Sequence, residues 1–226
     1  MNGRAVQEVM LADGAGAATA WHALGSEQPM LWTGTAEEAS ACSTDSPSPL
    51  CNPRLPSLWK VLVLSDGSVT RHLQILTGTK VEVDCLSMVN IGDELQGLPP
   101  NTHMIPGPRV QRQVLLRPGG KECAPLVYAC SWWNATDVDT YLSDKSKPIW
   151  VSLSQEHVEL YREVQLVYHG HSASLERLLQ CEGPFWGRSY IFWHNARPLT
   201  LIYEVFSNRL LEQLGPPPPT PPTMQR

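Results

Sequence analysis

The sequence predicts an α+β fold in which a single antiparallel sheet of about five or six strands is backed by helices. Two observations carry this prediction. Strand-like apolar runs occur in pairs joined by turn residues, and helical patterns lie before and between those pairs. No internal repeat divides the chain, and 226 residues with 42% hydrophobic content are enough to bury one core. We therefore expect one main domain.

Two hairpins supply most of the predicted sheet. The runs VQRQVLLR and APLVYACSWW are separated by PGGKEC, whose glycines tolerate the positive φ of a turn. The later run FWGRSYIFWHNARPLTLIYEVFS contains NARP, which is typical of a turn between two long strands. One more strand is predicted in TKVEVDCLSM, and a proline-rich connection from Leu98 to Pro108 follows it.

Helices are predicted in two further stretches. LPSLWKVLVLSDGSVTRHLQIL indicates two short helices that break at Asp66 and Gly67, with Ser68 positioned to cap the second. WVSLSQEHVELYREVQLVYHG is interpreted as a helix lying on the sheet. The apolar residues of that stretch are Val151, Leu153, Val158, Leu160, Tyr161 and Val164.

Both ends of the chain are predicted to lie outside the folded domain. Residues 1–53 are rich in Ala, Gly, Ser and Thr, which is typical of a low-complexity, disordered leader. Acidic residues outnumber the single Arg4 in this leader, whereas transit peptides are rich in arginine and poor in acids. Residues 215–226, GPPPPTPPTMQR, are expected to form an extended tail. The domain is thereby placed at 54–214.

Composition narrows the class of partner. The formal charge of -5 argues against nucleic acid or an anionic membrane surface as the main partner. No apolar run reaches the ~20 residues that a membrane span needs. The six cysteines lack metal-binding spacing, and His169 and His171 have no third ligand nearby, so we expect no metal and reduced thiols. We predict that the partner is a small molecule or a protein, and we favour a monomer.

Two charged residues stand on predicted apolar strand faces. In LTLIYEVFS, Glu204 shares a strand face with Thr200, Ile202 and Phe206. In VQRQVLLR, Arg112 lies on the same strand face as the apolar residues two positions away from it. An unpaired buried charge costs several kcal/mol, so each residue needs a partner. Two interpretations remain open: a direct buried salt bridge, or a pocket in which a small molecule lies between the two charges.

Several motifs in order resemble one known family. They are SDGSVTRHL, the arginine strand RQVLL, the turn KPIW, the helix signature ELYREV and the terminal hairpin FWGRSYIFWHNARPLTLIYEVF. From about Leu55 to Leu214 the chain resembles the chorismate lyase family, in particular its cyanobacterial and plastid-type members. The resemblance implies a six-stranded antiparallel sheet with helices on one side and a ligand pocket beneath helical flaps. It also implies a likeness to effector domains of bacterial transcription regulators.

The resemblance further implies an activity and a set of site residues. Family enzymes convert chorismate to 4-hydroxybenzoate and pyruvate without a cofactor, and the product supplies the ring of a prenylated quinone such as ubiquinone or plastoquinone. By motif match, Arg112 would hold the ring carboxylate and Glu204 would meet the hydroxyl end. Val69 and Ile149 would offer backbone groups to the carboxylate, and Gly187 and Arg188 of the WGR motif would complete the substrate-binding set.

The chain departs from an enterobacterial relative at two of these positions and at the residue that follows the second. Val69 replaces a methionine, and Ile149 and Trp150 replace a leucine and a glycine. Trp150 is far bulkier than glycine and would narrow the pocket. The resemblance therefore implies ligand binding more strongly than it implies turnover. The alternative is therefore a non-catalytic module of the same fold that senses a small aromatic carboxylate. The expected compartment is the cytoplasm or the plastid stroma.

Overall fold

The computed structural model describes residues 21–26, 30–41, 55, 57–142, 149 and 160–214, and within them one antiparallel sheet of seven strands. The strands are β1 (Met30–Gly34), β2 (Val81–Gly92), β3 (Arg109–Pro118), β4 (Val127–Asn134), β5 (Tyr161–Gly170), β6 (Phe185–His194) and β7 (Arg197–Phe206). Their order across the sheet is β1-β5-β6-β7-β4-β3-β2. The predicted fold class is confirmed, with seven strands rather than about six.

Short helices pack on the sheet. They are α1 (Ala36–Ala41), α2 (Ser57–Leu64), α3 (Val69–Thr77), α4 (Ala135–Tyr141), α5 (Ala173–Leu179) and α6 (Leu211–Leu214), with 3-10 turns at Pro100–Met104 and Asn208–Leu210. No helix in the described ranges is long and apolar enough to cross a membrane.

The predicted helix pair is confirmed. Helices α2 and α3 break at Asp66 and Gly67, and the Ser68 side chain accepts a hydrogen bond of 3.3 Å from the Arg71 N–H at the start of α3. Such a cap satisfies one of the N–H groups that a first helical turn leaves without an intrahelical partner. Gly78 ends the helix with φ 66°, a conformation that glycine adopts at low cost.

Both predicted hairpins are also confirmed. Strands β3 and β4 are antiparallel neighbours, with Arg112 opposite Ser131. In the closing hairpin of β6 and β7, the turn residues Asn195 and Ala196 have φ of 50° and 58°, as a tight turn between twisted strands requires. Arg188 on β6 lies directly opposite Glu204 on β7.

The helix predicted over residues 150–170 is wrong in its second half. Residues 161–170 form β5, between β1 and β6, and residues 151–159 lie outside the described residues. The register of β5 shifts between Val164 and Leu166, so the alternation of the strand is interrupted at that point. This bulge hid the period-2 pattern and left a spacing that resembled a helix.

The predicted leader also contributes to the fold, so the expectation of disorder is wrong for residues 21–26 and 30–41. Strand β1 pairs with β5, and the Leu24 N–H donates a 2.9 Å hydrogen bond to the buried Tyr203 hydroxyl. A sheet edge carries unpaired backbone groups, which a short strand can satisfy even when its sequence is weakly apolar. The rest of 1–53 and the tail 215–226 lie outside the described residues.

Two apolar layers cover the sheet. On one face α2 and α3 pack through Trp59, Leu62 and Leu73, as the prediction of helices backing the sheet required. On the opposite face, Leu175 and Leu179 of α5 pack together with Leu24 and Ile105. The candidate functional site lies on the first of these faces.

Candidate functional site

A cavity lies between the sheet and the start of α3. The empty space between its lining residues is about 520 Å³, and this volume includes the part of the pocket that is open to solvent. The described lining residues are Ser68, Val69, Thr70, Val83, Arg112, Val114, Leu116, Ala129, Ser131, Ile149, Arg162, Tyr190, Phe192, Ile202 and Glu204. They combine an apolar wall with two arginines and one glutamate, a mixture typical of sites for small organic anions.

Glu204 is buried and held through both of its oxygens. The Arg188 Nε donates to Oε2 at 2.9 Å, and the Tyr190 hydroxyl donates to Oε1 at 2.9 Å. Glu204 is 5% exposed and Arg188 is fully buried, so the ion pair is shielded from water. The pairing follows from strand register, because Arg188 and Glu204 are directly opposite one another on β6 and β7. A buried Arg–Glu pair therefore exists, but its arginine is Arg188.

Arg112 lines the same cavity from β3 and is 2% exposed. Among the described ion pairs Glu204 is joined to Arg188 rather than to Arg112, so the direct salt bridge considered from the sequence is not the one that forms. Burial lowers the pKa of the Arg112 guanidinium, and the nearby Cys85 opposes that shift. Arg112 and Glu204 both line this cavity, as the second of the two interpretations from the sequence requires.

The first turn of α3 forms another wall of the cavity through Ser68, Val69 and Thr70. The N–H groups of a first helical turn carry a partial positive charge and attract anions. Arg112 and this helix terminus therefore supply positive potential to one cavity.

The remaining predicted binding residues are divided between two sides of the sheet. Ile149 lines the cavity, whereas Trp150 lies outside the described residues. Arg188 is not among the described lining residues, and it donates its hydrogen bond to Glu204 from outside the cavity. A Cβ at Gly187 would lie 2.9 Å from the Glu204 carbonyl oxygen and 3.2 Å from Leu24, on the face opposite the cavity. The position of Gly187 does not fit a substrate contact, and its lack of a side chain instead permits close strand packing.

Three cavity residues were missed by the sequence reasoning. Arg162 lies in the segment predicted as a helix, and Tyr190 and Phe192 lie in a predicted strand without a predicted role. The Arg162 guanidinium lies 4.4 Å from the centre of the Tyr190 ring and 4.8 Å from that of Phe192. The alternation of the strand could have identified two of them, because Tyr190 and Phe192 lie on the same face of β6 as Arg188.

His72 on α3 lies close to this cluster of charges. Burial lowers the pKa of His72, and the positive charges of Arg188 and Arg162 lower it further. The imidazole is therefore neutral near pH 7, which avoids a further cation beside two buried arginines.

The HGH segment lies in a different region of the fold. His169 stacks on Trp186 with ring centres 4.3 Å apart, and His171 Nδ1 lies 3.5 Å from a Glu176 oxygen. Within the described residues, no group of three or more His, Cys, Asp or Glu side chains could hold a metal ion.

Residues 63–214 match the family model described as "Chorismate pyruvate-lyase Rv2949c-like". The match spans well over half of the chain and includes all the cavity residues given above. The chain belongs to this family. Arg112 and Glu204 both lie within the matched residues.

Four relatives carry the name "uncharacterized protein ycf21". The protein of Cyanophora paradoxa is 37% identical over 149 residues, covering 66% of this chain and 76% of the relative. The protein of Porphyra purpurea is 33% identical over 156 residues, covering 69% of this chain and 84% of the relative.

Solved structures share the fold. The effector domain of PhnF from Mycobacterium smegmatis superposes with a TM-score of 0.51 at 10% identity, covering 65% of this chain and 92% of that domain. A Staphylococcus aureus protein, gene product SA0254, gives a TM-score of 0.50 at 13% identity, covering 65% of this chain and 92% of its own. At such identities the likeness concerns the fold alone.

Proposed function

We propose that this protein is a chorismate lyase, which converts chorismate to 4-hydroxybenzoate and pyruvate. The observation that carries the proposal is that Arg112 and Glu204 line one cavity while the ion pair of Glu204 is made with Arg188. The family match supports the same reaction class. Arg112 and Glu204 thus face one cavity from two different strands, as contact with opposite ends of one ligand requires.

The ring carboxylate of chorismate would bind at Arg112. A guanidinium can donate two parallel hydrogen bonds to a carboxylate, and this geometry fixes direction as well as position. The first turn of α3, with Val69 at the cavity wall, would add backbone N–H groups to the same anion. Ile149, which also lines the cavity, would offer a backbone group to the same carboxylate.

Glu204 would lie at the hydroxyl end and accept a proton. Loss of the hydrogen on the hydroxyl-bearing ring carbon leaves an electron pair that forms the last ring double bond. The neighbouring carbon–oxygen bond breaks, and the enolpyruvyl group leaves as enolpyruvate, which takes up a proton and becomes pyruvate. Arg188 and Tyr190 hold the carboxylate in place for this transfer, so little reorganisation is needed.

The direct test is a turnover assay. Purified protein is incubated with chorismate, pyruvate is followed by its reduction with lactate dehydrogenase, and 4-hydroxybenzoate is identified by chromatography. We expect both products in equal amounts and at a rate proportional to the protein concentration. Binding of 4-hydroxybenzoate without pyruvate release would exclude the lyase and leave the sensing module as the function.

We also propose that the product supplies the ring of a prenylated quinone, in the plastid stroma or in the cytoplasm. The proposed lyase yields the hydroxylated ring that such a pathway prenylates, and the motifs of the chain resemble those of cyanobacterial and plastid-type members of the family. Disrupting the gene and feeding labelled 4-hydroxybenzoate should restore the quinone. Quinone levels that stay normal after disruption would contradict this role.

A further inference from the structure

Arg162 is a second cation of the cavity, and neither the sequence motifs nor the reaction outlined above gives it a role. It lies on β5, 7% exposed, and lines the cavity together with Arg112 from β3. Strands β3 and β5 are separated by β4, β7 and β6 in the sheet, so the two arginines approach the cavity from opposite flanks.

The Arg162 guanidinium is fixed in direction. Its Nη1 donates to the carbonyl oxygens of Gly67 and, at 3.4 Å, of Ser65, and its plane lies against the rings of Tyr190 and Phe192. Its buried Nε has no hydrogen-bond partner among the described residues. A buried donor without a partner costs free energy, and an incoming acceptor removes that cost.

The charges around Arg162 favour an anion as this acceptor. Glu204, the glutamate of the described lining, already forms its ion pair with Arg188. The described ion pairs give Arg162 no carboxylate of its own. A carboxylate binds a guanidinium strongly, because it accepts two parallel hydrogen bonds.

The position of Arg162 relative to Glu204 matches the chemistry of chorismate. Arg162 lies over the ring of Tyr190, and the Tyr190 hydroxyl donates to Glu204. Arg162 and Glu204 therefore lie at the same end of the cavity. Chorismate carries its enolpyruvyl ether on the ring carbon next to the hydroxyl. If the hydroxyl end lies at Glu204, the enolpyruvyl carboxylate lies on the side of Arg162.

We propose that Arg162 binds a second carboxylate, so that the cavity selects dicarboxylates over monocarboxylates. The identity of the ligand as chorismate rests on the proposed function, whereas the selection for two carboxylates does not. A lyase with this property favours its dianionic substrate over 4-hydroxybenzoate, which has lost the second carboxylate. Arg162 would then help the product to leave.

Two stable probes separate this role from a structural one. 3-(Carboxymethoxy)benzoate carries a second carboxylate near the expected place, and 3-ethoxybenzoate has a similar size without it. Calorimetric titration of the wild-type protein should give about tenfold or greater preference for the first probe, as expected for one added charge-assisted contact. Arg162→Gln should abolish the preference while changing the affinity for 3-ethoxybenzoate less than about threefold.

Arg162 also anchors the loop between α2 and α3, so loss of folding needs a control. Arg162→Lys keeps the charge and should retain only part of the preference, because it lacks the planar fork. Arg71→Gln removes an exposed arginine on α3 and should leave the preference intact, so it controls for long-range charge.

Equal loss of affinity for both probes in the Arg162 variants would assign Arg162 to the loop alone and overturn the proposal. An unchanged preference would do the same. Preference for the dicarboxylate without any pyruvate release from chorismate would keep this inference and reject the lyase.

Discussion

Glu204 has both of its carboxylate oxygens engaged by donors from β6, and this arrangement decides what a substitution there does. Glu204→Gln keeps the size of the side chain but removes the proton acceptor, so turnover of chorismate should fall by about 100-fold or more. The variant also leaves Arg188 buried without an anion, which costs on the order of 3 kcal/mol of stability. Turnover should therefore be measured below the unfolding temperature of the variant.

Tyr190→Phe is the matched control for Glu204→Gln. It removes one hydrogen bond but leaves the carboxylate and its ion pair with Arg188, so most turnover should remain. If both variants lost turnover to the same extent, the position of the carboxylate rather than proton transfer would limit the reaction.

Arg112→Lys tests the carboxylate site. Lysine keeps the charge but cannot donate two parallel hydrogen bonds from a planar fork, so the affinity for 4-hydroxybenzoate should fall about tenfold. Arg109→Lys is the control, since Arg109 lies on the same strand with opposite parity and its Nε donates to the Ile105 carbonyl at 2.7 Å. Fluorescence titration measures both, and equal losses would contradict a specific role for Arg112.

His169 provides a pH-dependent prediction. Burial, with a smaller contribution from His171, lowers the pKa of His169 to about 4. The unfolded chain therefore binds this proton at a higher pH than the folded chain does. The contribution of His169 to stability is complete above about pH 6.5 and declines as the pH falls toward 4.

An NMR titration of the imidazole should give this low pKa directly. His169→Asn should flatten the decline of stability between pH 6.5 and 4. A measured pKa near 6.5 would show that stacking on Trp186 does not exclude water.

The start of α3 contributes to both stability and ligand binding, because Ser68 caps the helix and also lines the cavity. Ser68→Ala removes the hydrogen bond to the Arg71 N–H and should cost about 1 kcal/mol in urea unfolding. Ser68→Asp restores a capping oxygen but brings a negative charge to the cavity wall. Its stability should remain close to that of the wild type while its affinity for 4-hydroxybenzoate falls, and unchanged affinity would separate α3 from the anion site.

At the scale of the whole molecule, two segments that precede the predicted domain contribute to the fold. Strand β1 extends the sheet beside β5, and residues 21–26 are joined to the sheet through Leu24. Removing residues 1–20 leaves every described element intact, so the unfolding temperature should not change. Removing residues 1–41 takes away β1 and the Leu24 bond to Tyr203, and it exposes the edge of β5. The unfolding temperature should fall by several degrees, at about 2–4 °C per kcal/mol for a domain of this size, and an exposed edge promotes association.

Thermal unfolding and size-exclusion chromatography of the two shortened chains test this prediction. Identical unfolding temperatures and elution volumes would show that the domain begins at residue 54 after all, as the composition of the leader suggested.

The sequence by itself determined the fold class, the two hairpins, the α2–α3 pair with its Ser68 cap and the shared face of Arg112 and Glu204. Each of these depends on local rules, such as turn chemistry, helix capping and the period of a strand. These rules act over a few residues and can be read along the chain.

Only the tertiary structure decided the partner of Glu204, the sheet position of β5 and the contribution of residues 21–41. Arg188 meets Glu204 because β6 and β7 pair in one register, and a shift of one residue would turn the arginine to the other face. Arg162 reaches the cavity from a strand four positions away from that of Arg112. Strand order and register depend on contacts between distant parts of the chain, and no local pattern encodes them.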